Sequence, residues 1–477
     1  MANVDKESVR AEVTNLKEQF EKLSSAGKVN TEVSMLMSSM FMIIELILSI
    51  FLERTTKKGN KNSSIPSSQT HKDETTPGQS GNQGKGKKLN KHIAGNTRKS
   101  ETVTISTVEG CTTCGEDLSQ VKSDETQRRT KIDIIFEKVV EHVDAEIKTC
   151  PICQHKTTGT FPGDMPGPLQ YGNGLKAFVI NLLVGQMVAV NRVQTLIESM
   201  INATISETTL LKFILRLHQA LELWETQTIE QLIKQPTLNV DETSLRVDRK
   251  NHWIHVYAAG DLTLKRLHRK RGKEAINDIN IVPRYAGVIV HDCWASYFAY
   301  DNCNHALCGS HLLRELTFIM ESNGYRWAKN LKILLQETCI VVSDSDEKKL
   351  SFKAYANLLK RYRNIITRGE KELPELGQRP TGKRGRLAKS DAHNLWERMK
   401  KHESSVLLFA KESHVPFTNN RAERDLRMAK VKQKVSGCFR NEEYAKAYCR
   451  ISSYLQTMAN RGYNTLVAIQ MAIAGQD

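Results

Sequence analysis

Two apolar stripes with heptad-like spacing run along the first fifty residues. In each stripe the apolar residues are separated by steps of three or four, a spacing that places them on one face of a helix. The first stripe comprises Val9, Val13, Leu16, Phe20 and Leu23, and the second comprises Leu36, Met40, Ile43, Ile47 and Ile50. The pattern predicts coiled-coil-like helices over residues 1–53, which break near Gly27 and self-associate along the apolar face.

The second stripe lies within an apolar run, Met35 to Leu52, that is nearly long enough to span a bilayer. Glu45 lies in the middle of this run, and three serines dilute it. Because the heptad-like stripe continues through the run, we favour a self-associating helix pair over a membrane span. Residues 1–30 are mostly polar, which argues against an N-terminal signal peptide.

Helical periodicity returns after residue 160. It covers Leu175–Val190, Val193–Met200 and Glu207–Ile233, and Ser206 is placed to cap the start of the last segment. Residues 161–235 are therefore predicted to be a helical domain. It is either a DNA-binding helix-turn-helix or a linker domain with ordinary bundle packing.

After residue 235 the pattern of apolar residues changes from that of helices to that of strands. Leu238–Val247, His252–Ala259 and Leu262–Leu267 predict three consecutive strands, and Ala286–Asp292 has the composition of a fully buried one. From about residue 309 the pattern is almost entirely helical. We therefore expect an α/β core with its strands in 236–308, a helical insertion over 309–415 and C-terminal helices over 416–477.

Charge narrows the choice of partner. The 477 residues carry a formal net charge of +16, which favours a polyanion such as nucleic acid or an anionic membrane surface over a merely soluble basic protein. Residues 54–100 contain eleven Lys and Arg against two acids and few large apolar residues. This composition predicts a basic, disordered linker, which either binds phosphates loosely or acts as a solvated spacer.

Ten cysteines show no disulfide-like spacing, so a reducing compartment fits best. Four of them form two CxxC knuckles, Cys111–Cys114 and Cys150–Cys153. Four thiolates satisfy tetrahedral Zn²⁺ and leave no open position, so this pattern predicts a structural zinc site. Strand-like runs at Lys131–Val140 and Val143–Lys148 complete a predicted zinc ribbon over residues 101–160.

Three acids are candidates for chemistry. Asp241 follows a short apolar strand segment, Asp292 ends the buried strand, and Glu423 lies near the start of a helix. Acids at the ends of neighbouring strands face the crevice beyond them, where converging carboxylates require a hard cation such as Mg²⁺. The alternatives are turn or capping roles for the two aspartates and an i, i+4 pair of Glu423 with Arg427.

Six motifs in order resemble the DDE transposases of the insertion-sequence-66 family. They are Asn62-Ser-Ser-Ile-Pro-Ser-Ser68, the two CxxC pairs, Val240-Asp-Glu-Thr243, His291-Asp-Cys-Trp294 with Tyr297, Cys308-Gly-Ser-His311-Leu-Leu-Arg314, and Asn419-Asn-Arg-Ala-Glu-Arg424. The resemblance covers most of the chain. Two positions depart from the family pattern: Thr418 stands where an Asp is usual, and Asp-Cys-Trp replaces the commoner Asp-Gly-Tyr.

The resemblance implies an RNase H-like catalytic domain that is interrupted by the helical insertion. Asp241, Asp292 and Glu423 would hold two Mg²⁺ ions, or Mn²⁺, for phosphodiester hydrolysis and strand transfer at the element's ends. Four further residues of the motifs would support the site: Cys308, His311, Asn420 and Arg424. Cys308 and His311 could instead be half of a second metal site, although no partner ligands stand out in the sequence.

Basic residues near the third acid are suited to DNA phosphates. A stripe with helical spacing comprises Arg421, Arg424, Arg427, Lys430 and Lys434, and a further cluster includes Lys383, Arg384 and Arg386. A solvated helix face is the alternative for the stripe. Expected partners are element-end and target DNA and further copies of the chain, with room for accessory transposition proteins but no membrane, in the cytoplasm near the nucleoid.

Two other functions stay open at this point. The chain could be a non-catalytic zinc-ribbon DNA-binding regulator with a decayed transposase fold, although the presence of all three acids argues against it. It could also be a nuclease that cuts without joining strands.

Overall fold

A computed structural model describes residues 6–56, residues 103–376 apart from 133 and 135, and residues 389–476. The chain divides into two compact units. The larger comprises Met1–Gly86 and Leu223–Ser453, and the smaller comprises Lys87–Glu222 and Tyr454–Asp477.

The described residues contain fifteen α-helices and seven strands. The helices are α1 (Lys6–Ser25), α2 (Thr31–Thr55), α3 (Asn173–Ile180), α4 (Val190–Ile201), α5 (Glu207–Ala220), α6 (Glu222–Ile233), α7 (Lys273–Ile279), α8 (Gly309–Asn323), α9 (Arg326–Asp344), α10 (Phe352–Glu372), α11 (Asp391–Lys401), α12 (Glu403–Lys411), α13 (Asn420–Ser436), α14 (Glu442–Asn460) and α15 (Thr465–Ile473). The strands are β1 (Ile147–Thr149), β2 (Lys156–Thr158), β3 (Thr237–Val247), β4 (Lys250–Ala259), β5 (Leu262–His268), β6 (Val288–His291) and β7 (Asn304–Leu307).

The larger unit is built on a five-stranded mixed sheet of order β5-β4-β3-β6-β7. The three consecutive strands β3, β4 and β5 pair antiparallel, as their short connections require, whereas β6 and β7 run parallel to β3. The predicted strands are confirmed to within two residues at each end. The short edge strand β7 carries no prediction, because only four residues of mixed polarity form it.

Apolar side chains lie on both faces of the central strands. Every residue of β6 is buried, which explains its uninterrupted apolar run. Val288 and Val290 face a core shared with the helical insertion, while Ile289 faces a second core together with Leu238 and Val240. The sheet is therefore a middle layer, and polar residues on its faces are enclosed unless they lie at strand ends.

Helices α8 to α12 lie between residues 309 and 411, and the described part of this range is helical as the pattern predicted, while its role as an insertion in the catalytic domain stays a prediction. Trp327 and Tyr362 are fully buried in its core. The Tyr362 hydroxyl donates to the Met399 carbonyl at 3.0 Å, and the Trp396 indole donates to the Ile366 carbonyl at 2.9 Å. These two hydrogen bonds join α10 to α11, whereas Trp327 of α9 contributes apolar packing, its buried indole nitrogen having no hydrogen-bond partner among the described residues.

The first two helices form an antiparallel pair that breaks at Gly27, as predicted. Lys17 and Glu45 make an ion pair at 3.0 Å, and the rings of Phe20 and Phe41 lie 5.7 Å apart. Gly27 has a φ of +67°, a conformation that favours glycine. The pairing occurs within one chain, and association between copies stays a prediction.

Among the described helices, α2 is the one that is long and apolar enough to cross a membrane. The apolar segment is Thr31–Glu53, and 17% of its most apolar stretch is buried. Its end docks on the insertion. The Glu53 carboxylate accepts hydrogen bonds from the Asn323 side chain at 3.0 Å and from the Ala392 backbone at 2.9 Å. Burial raises the pKa of Glu53, and these hydrogen bonds oppose that rise.

The smaller unit contains the first two predicted helical segments and the first part of the third, which forms two helices, α5 and α6, of which α6 belongs almost entirely to the larger unit. Helix α3 continues into a π-helical turn over Asn181–Gly185, and α4 and α5 follow. Ser206 accepts a hydrogen bond from the backbone of Thr209 and is the N-cap of α5, as its position predicted. Whether α4 and α5 bind DNA stays a prediction.

The strand prediction around the knuckles is only partly right. Lys131–Val140 forms no strand among its described residues, and of Val143–Lys148 only the end enters β1. Strands β1 and β2 form a small antiparallel pair around Cys150–Cys153. The run at 131–140 is β-prone in composition, but its described side chains are exposed and no partner strand covers them. Propensity without burial does not produce a sheet.

Candidate functional site

Asp241 and Asp292 come to the same level on adjacent parallel strands. Asn239 of β3 is in register with Val290 of β6, so the residues two positions further along are the two aspartates. Side chains two positions apart point to the same face of a sheet, and neighbouring strands lie about 4.8 Å apart. The strand register therefore places both carboxylates at one edge and on one face.

The third acid is brought to this edge by the start of α13. Asn419 precedes the helix and is 1% exposed. Its side-chain amide donates to the Val240 carbonyl at 2.8 Å and its amide oxygen accepts from Asn239 at 2.9 Å. These bonds attach the helix start to β3 beside Asp241, which leaves Glu423 in the first turn facing the two aspartates.

The electrostatics agree with this convergence. Burial raises the pKa of Asp241 well above its ordinary value, and the negative charges of Glu242, Asp292 and Glu423 raise it further. Asp241 also accepts a hydrogen bond from the Glu242 backbone at 2.8 Å, and Asp292 accepts one from Trp294 at 3.1 Å. The site accumulates negative charge, which is what a cation-binding site requires.

Glu242 is adjacent in sequence but belongs to a different cluster. Successive side chains of a strand point to opposite faces, and Glu242 lies on the face away from Asp241. Its carboxylate binds Arg271 through two guanidinium nitrogens, at 2.8 and 2.5 Å, and accepts from the Tyr297 hydroxyl at 2.9 Å. The Arg271 guanidinium also lies 4.3 Å from the ring centre of Trp294. Burial raises the pKa of Glu242, and Arg271 opposes that rise.

The start of α8 forms the other wall of the site. Cys308 is the N-cap residue and His311 lies in the first turn. The His311 Nδ1 is 3.4 Å from the Glu423 Oε1, and the nearest guanidinium nitrogen of Arg314 is 3.8 Å from the same oxygen. The Cys308 Sγ accepts a hydrogen bond from the Asn419 backbone at 3.1 Å. The motif Cys308–Arg314 on α8 therefore contacts the motif Asn419–Arg424 on α13, and Glu423 lies between them.

A comparison with protein-family models identifies the family. The model described as "Transposase IS66 family" matches residues 168–447, which is more than half of the chain and includes all three acids. The chain belongs to the IS66 family of transposases. A comparison with curated proteins found no match. Membership implies a transposase role, DNA as a partner and the use of divalent metal ions.

The predicted basic stripe of this family member divides into two groups. Arg421 donates to the backbone carbonyls of Gly260 and Leu262, and Lys430 donates to the Ser244 carbonyl at 3.0 Å. These two side chains hold α13 on the sheet. The other three members are exposed and remain candidates for DNA phosphates: Arg424, Arg427 and Lys434. Lys383, Arg384 and Arg386 lie outside the described residues.

Each cysteine knuckle forms a tight turn. The four sulfur atoms of the two knuckles, however, do not lie close enough together to bind one ion. In the described ranges one group of three or more Cys, His, Asp or Glu side chains has its ligand atoms mutually within 4.8 Å, and it is Cys308, His311 and Glu423. Hydrogen bonds from the Cys114 and Thr113 backbone lower the pKa of Cys111 to about 7, and equivalent bonds lower that of Cys150. A lowered pKa suits a thiolate ligand.

Sequence reasoning missed the contacts of the first asparagine of the Asn-Asn pair, and its assignment of the second stays a prediction. It assigned a supporting role to Asn420, which is exposed and accepts one hydrogen bond from the Ser310 hydroxyl at 3.4 Å. Asn419 makes the buried contacts. The available signal was the position of Asn419 directly before the helix, because a residue there has its side chain free to bond another element.

Proposed function

We propose that this IS66-family member is a DDE transposase in which Asp241, Asp292 and Glu423 hold two Mg²⁺ ions. The observation that carries the proposal is the matched register of the two aspartates on parallel strands, with Glu423 attached beside them through Asn419. Three acids gathered at a sheet edge are unfavourable without a cation, as the raised pKa of Asp241 indicates.

The donor set fits the metal. All three groups are carboxylates, and Mg²⁺ prefers oxygen ligands and is held by few carboxylates plus water and phosphate. Bound there, two such ions would supply Lewis-acid stabilisation of the negative charge that develops on the oxygens of a phosphoryl transfer. Mn²⁺ shares the preference for oxygen and would substitute.

The remaining residues of the site position the reactants. Arg314 approaches Glu423 from α8 and is itself fixed by its bond to the Ser310 carbonyl at 3.1 Å. Arg424 and Arg427 project from α13 as exposed cations next to the acids, where they would bind DNA phosphates and lose affinity as salt rises. The same site would first cut the phosphodiester at an element's end and then direct the freed 3′-hydroxyl to target DNA.

The order and directions of the strands support an RNase H-like catalytic core. Three antiparallel strands are followed by two parallel ones, and the two aspartates lie just beyond the point where the parallel pairing of β3 and β6 ends. Around this core we propose the modules indicated by the sequence. They are a self-associating helix pair in 1–53, a basic linker over 54–100, a structural Zn²⁺ ribbon over 101–160, a helical domain over 161–235 and an insertion over 309–415. A cytoplasmic, nucleoid-associated protein follows from this role.

The test is a cleavage assay on DNA that carries the element's inverted ends. Asp241→Asn should abolish nicking in Mg²⁺ and in Mn²⁺ while DNA binding by gel shift persists, since the change removes a carboxylate ligand but keeps an oxygen that accepts the hydrogen bond from the Glu242 backbone. Asp248→Asn is the matched control, because Asp248 is exposed and lies directly after the last residue of the same strand. Nicking by Asp241→Asn at the rate of the control would refute the assignment.

The products separate transposition from the alternatives. Joined element–target molecules support strand transfer, whereas cut ends alone would make the protein a nuclease. Binding without any metal-dependent cutting by the unchanged protein would favour a non-catalytic regulator.

A further inference from the structure

Cys308, His311 and Glu423 form a cluster whose chemistry differs from that of the two aspartates. One ligand atom of each lies within 4.8 Å of the others. Two belong to the start of α8 and one to the first turn of α13, so two helix starts face each other across the cluster. The sequence shows the Cys and His pair but not its partner, because Glu423 is 112 residues further along the chain.

The geometry leaves a place for an ion. The His311 Nδ1 and the Glu423 Oε1 are both buried, and within the described part of the chain neither atom has a hydrogen-bond partner. They are 3.4 Å apart. Two ligands of a tetrahedral Zn²⁺ with bonds of 2.0–2.1 Å lie about 3.3 Å apart, so these atoms already have the separation of two ligands of one ion.

The third ligand, the Cys308 sulfur, adds a preference for a metal ion softer than Mg²⁺. The Cys308 sulfur accepts a hydrogen bond from the Asn419 backbone at 3.1 Å, an arrangement that a thiolate retains. A set of thiolate, imidazole and carboxylate is the ligand chemistry of Zn²⁺ and Co²⁺, whereas Mg²⁺ takes oxygen ligands. Three protein ligands leave a fourth position of a tetrahedral ion open.

We propose that Cys308, His311 and Glu423 bind one borderline-soft divalent cation, of which Zn²⁺ is the representative, at a site separate from the Cys knuckles. Occupancy engages Glu423 and so removes it from the carboxylate set that holds Mg²⁺. Zinc therefore inhibits the enzyme in competition with Mg²⁺. The binding site stands on its own geometry, whereas the inhibition rests on the proposed function.

Binding is tested on the full chain without DNA. Co²⁺ is titrated into the zinc-free protein, and the thiolate-to-Co²⁺ absorption is compared between the unchanged protein, Cys308→Ser and Cys303→Ser. Cys303 is the matched control, because it is buried and its thiol donates to the Tyr300 carbonyl at 3.8 Å, outside the cluster. The knuckles contribute equally to all three, so the difference isolates the cluster.

Cys308→Ser should lose one equivalent of bound metal and the corresponding absorption, and Cys303→Ser should lose neither. Equal absorption and stoichiometry in all three proteins would overturn the proposal. His311→Gln leaves every cysteine in place and tests the same site if Cys308→Ser does not fold. It should weaken the extra equivalent at least tenfold, and unchanged affinity would equally refute the site.

The inhibition is tested separately by nicking at fixed Mg²⁺ with rising Zn²⁺, each variant being normalised to its own rate without Zn²⁺. Inhibition should be relieved by excess Mg²⁺ and be weaker in Cys308→Ser. If the extra equivalent binds but Zn²⁺ does not inhibit, the competition for Glu423 is refuted while the site stands. Failure of all nicking would refute the proposed function instead, since Co²⁺ binding needs no catalysis.

Discussion

Asn419→Ala should destabilise the larger unit more than any other single change at the Asn-Asn pair. The side chain makes two buried hydrogen bonds, to the Val240 carbonyl and from the Asn239 amide, at 2.8 and 2.9 Å. Each such bond contributes about 1 kcal/mol, and a buried group left without its partner costs about 1–3 kcal/mol. Allowing for partial relaxation, we expect the free energy of unfolding to fall by about 3 kcal/mol.

The measurement is urea unfolding followed by tryptophan fluorescence. All five tryptophans lie between residues 224 and 396, so the signal reports the larger unit alone. The midpoint should fall while the slope with urea stays constant, because the surface exposed on unfolding does not change. Asn420→Ala is the matched control: the neighbouring side chain is exposed, and its removal should change the free energy by less than about 0.5 kcal/mol.

A double-mutant cycle makes the reasoning specific. Asn239→Ala removes the other half of the buried pair, so the double variant should lose about 1 kcal/mol less than the sum of the single changes. Strict additivity would show that the two amides do not interact. A loss from Asn420→Ala as large as that from Asn419→Ala would refute the claim that the first asparagine holds α13 on the sheet.

Three further changes test other contacts. Arg271→Ala removes the partner of a buried carboxylate and should cost about 2–3 kcal/mol, discounted because Arg271 is 38% exposed, whereas Arg269→Ala at a 74% exposed ion pair should cost less than about 1 kcal/mol in the same urea assay. Burial lowers the pKa of His255 from 6.5 to about 4, so the unfolded state takes up the proton first as pH falls. The free energy of unfolding of the unchanged protein should therefore fall by up to about 3 kcal/mol from this group between pH 6.5 and 4. His255→Gln should show a smaller change in the free energy of unfolding over the same pH range. Gly309→Ala should cost about 1–3 kcal/mol by thermal or urea unfolding, because an added Cβ would lie 2.2 Å from the Phe417 ring, and an unchanged midpoint would show that the ring moves freely.

Local pattern was sufficient for most elements of the larger unit. The strands β3, β4 and β5 are joined by short turns. Their apolar residues alternate with polar ones where one face is exposed and are consecutive where both faces are buried. The described helices α8 to α12 likewise show helical periodicity in their sequences. These elements are correctly predicted because each signal is contained within ten to twenty consecutive residues, the range over which periodicity operates.

The strand prediction in the knuckle region failed because its signal was local while the structure depends on a partner elsewhere in the chain. Lys131–Val140 has the composition of a strand, but a strand needs a neighbouring strand to pair with, and the described residues of this run form no strand. Composition records the preference of a segment and not the presence of its partner. The arrangement of the site had the same limit, because the contacts of Asn419 join residues about 180 positions apart.

The departure at the second acid illustrates what geometry adds to a motif. Cys293 follows Asp292 where the family more often has glycine, and its φ is +74°, in the left-handed region. A side chain there costs about 1–2 kcal/mol, which explains why glycine suits the position. The sharp turn lets the Cys293 backbone donate to His291 at 3.2 Å and directs Trp294 back to donate to the Asp292 carboxylate. The backbone conformation, and not the identity of the residue after the acid, is therefore what orients Asp292, and a cysteine serves as long as the turn is kept.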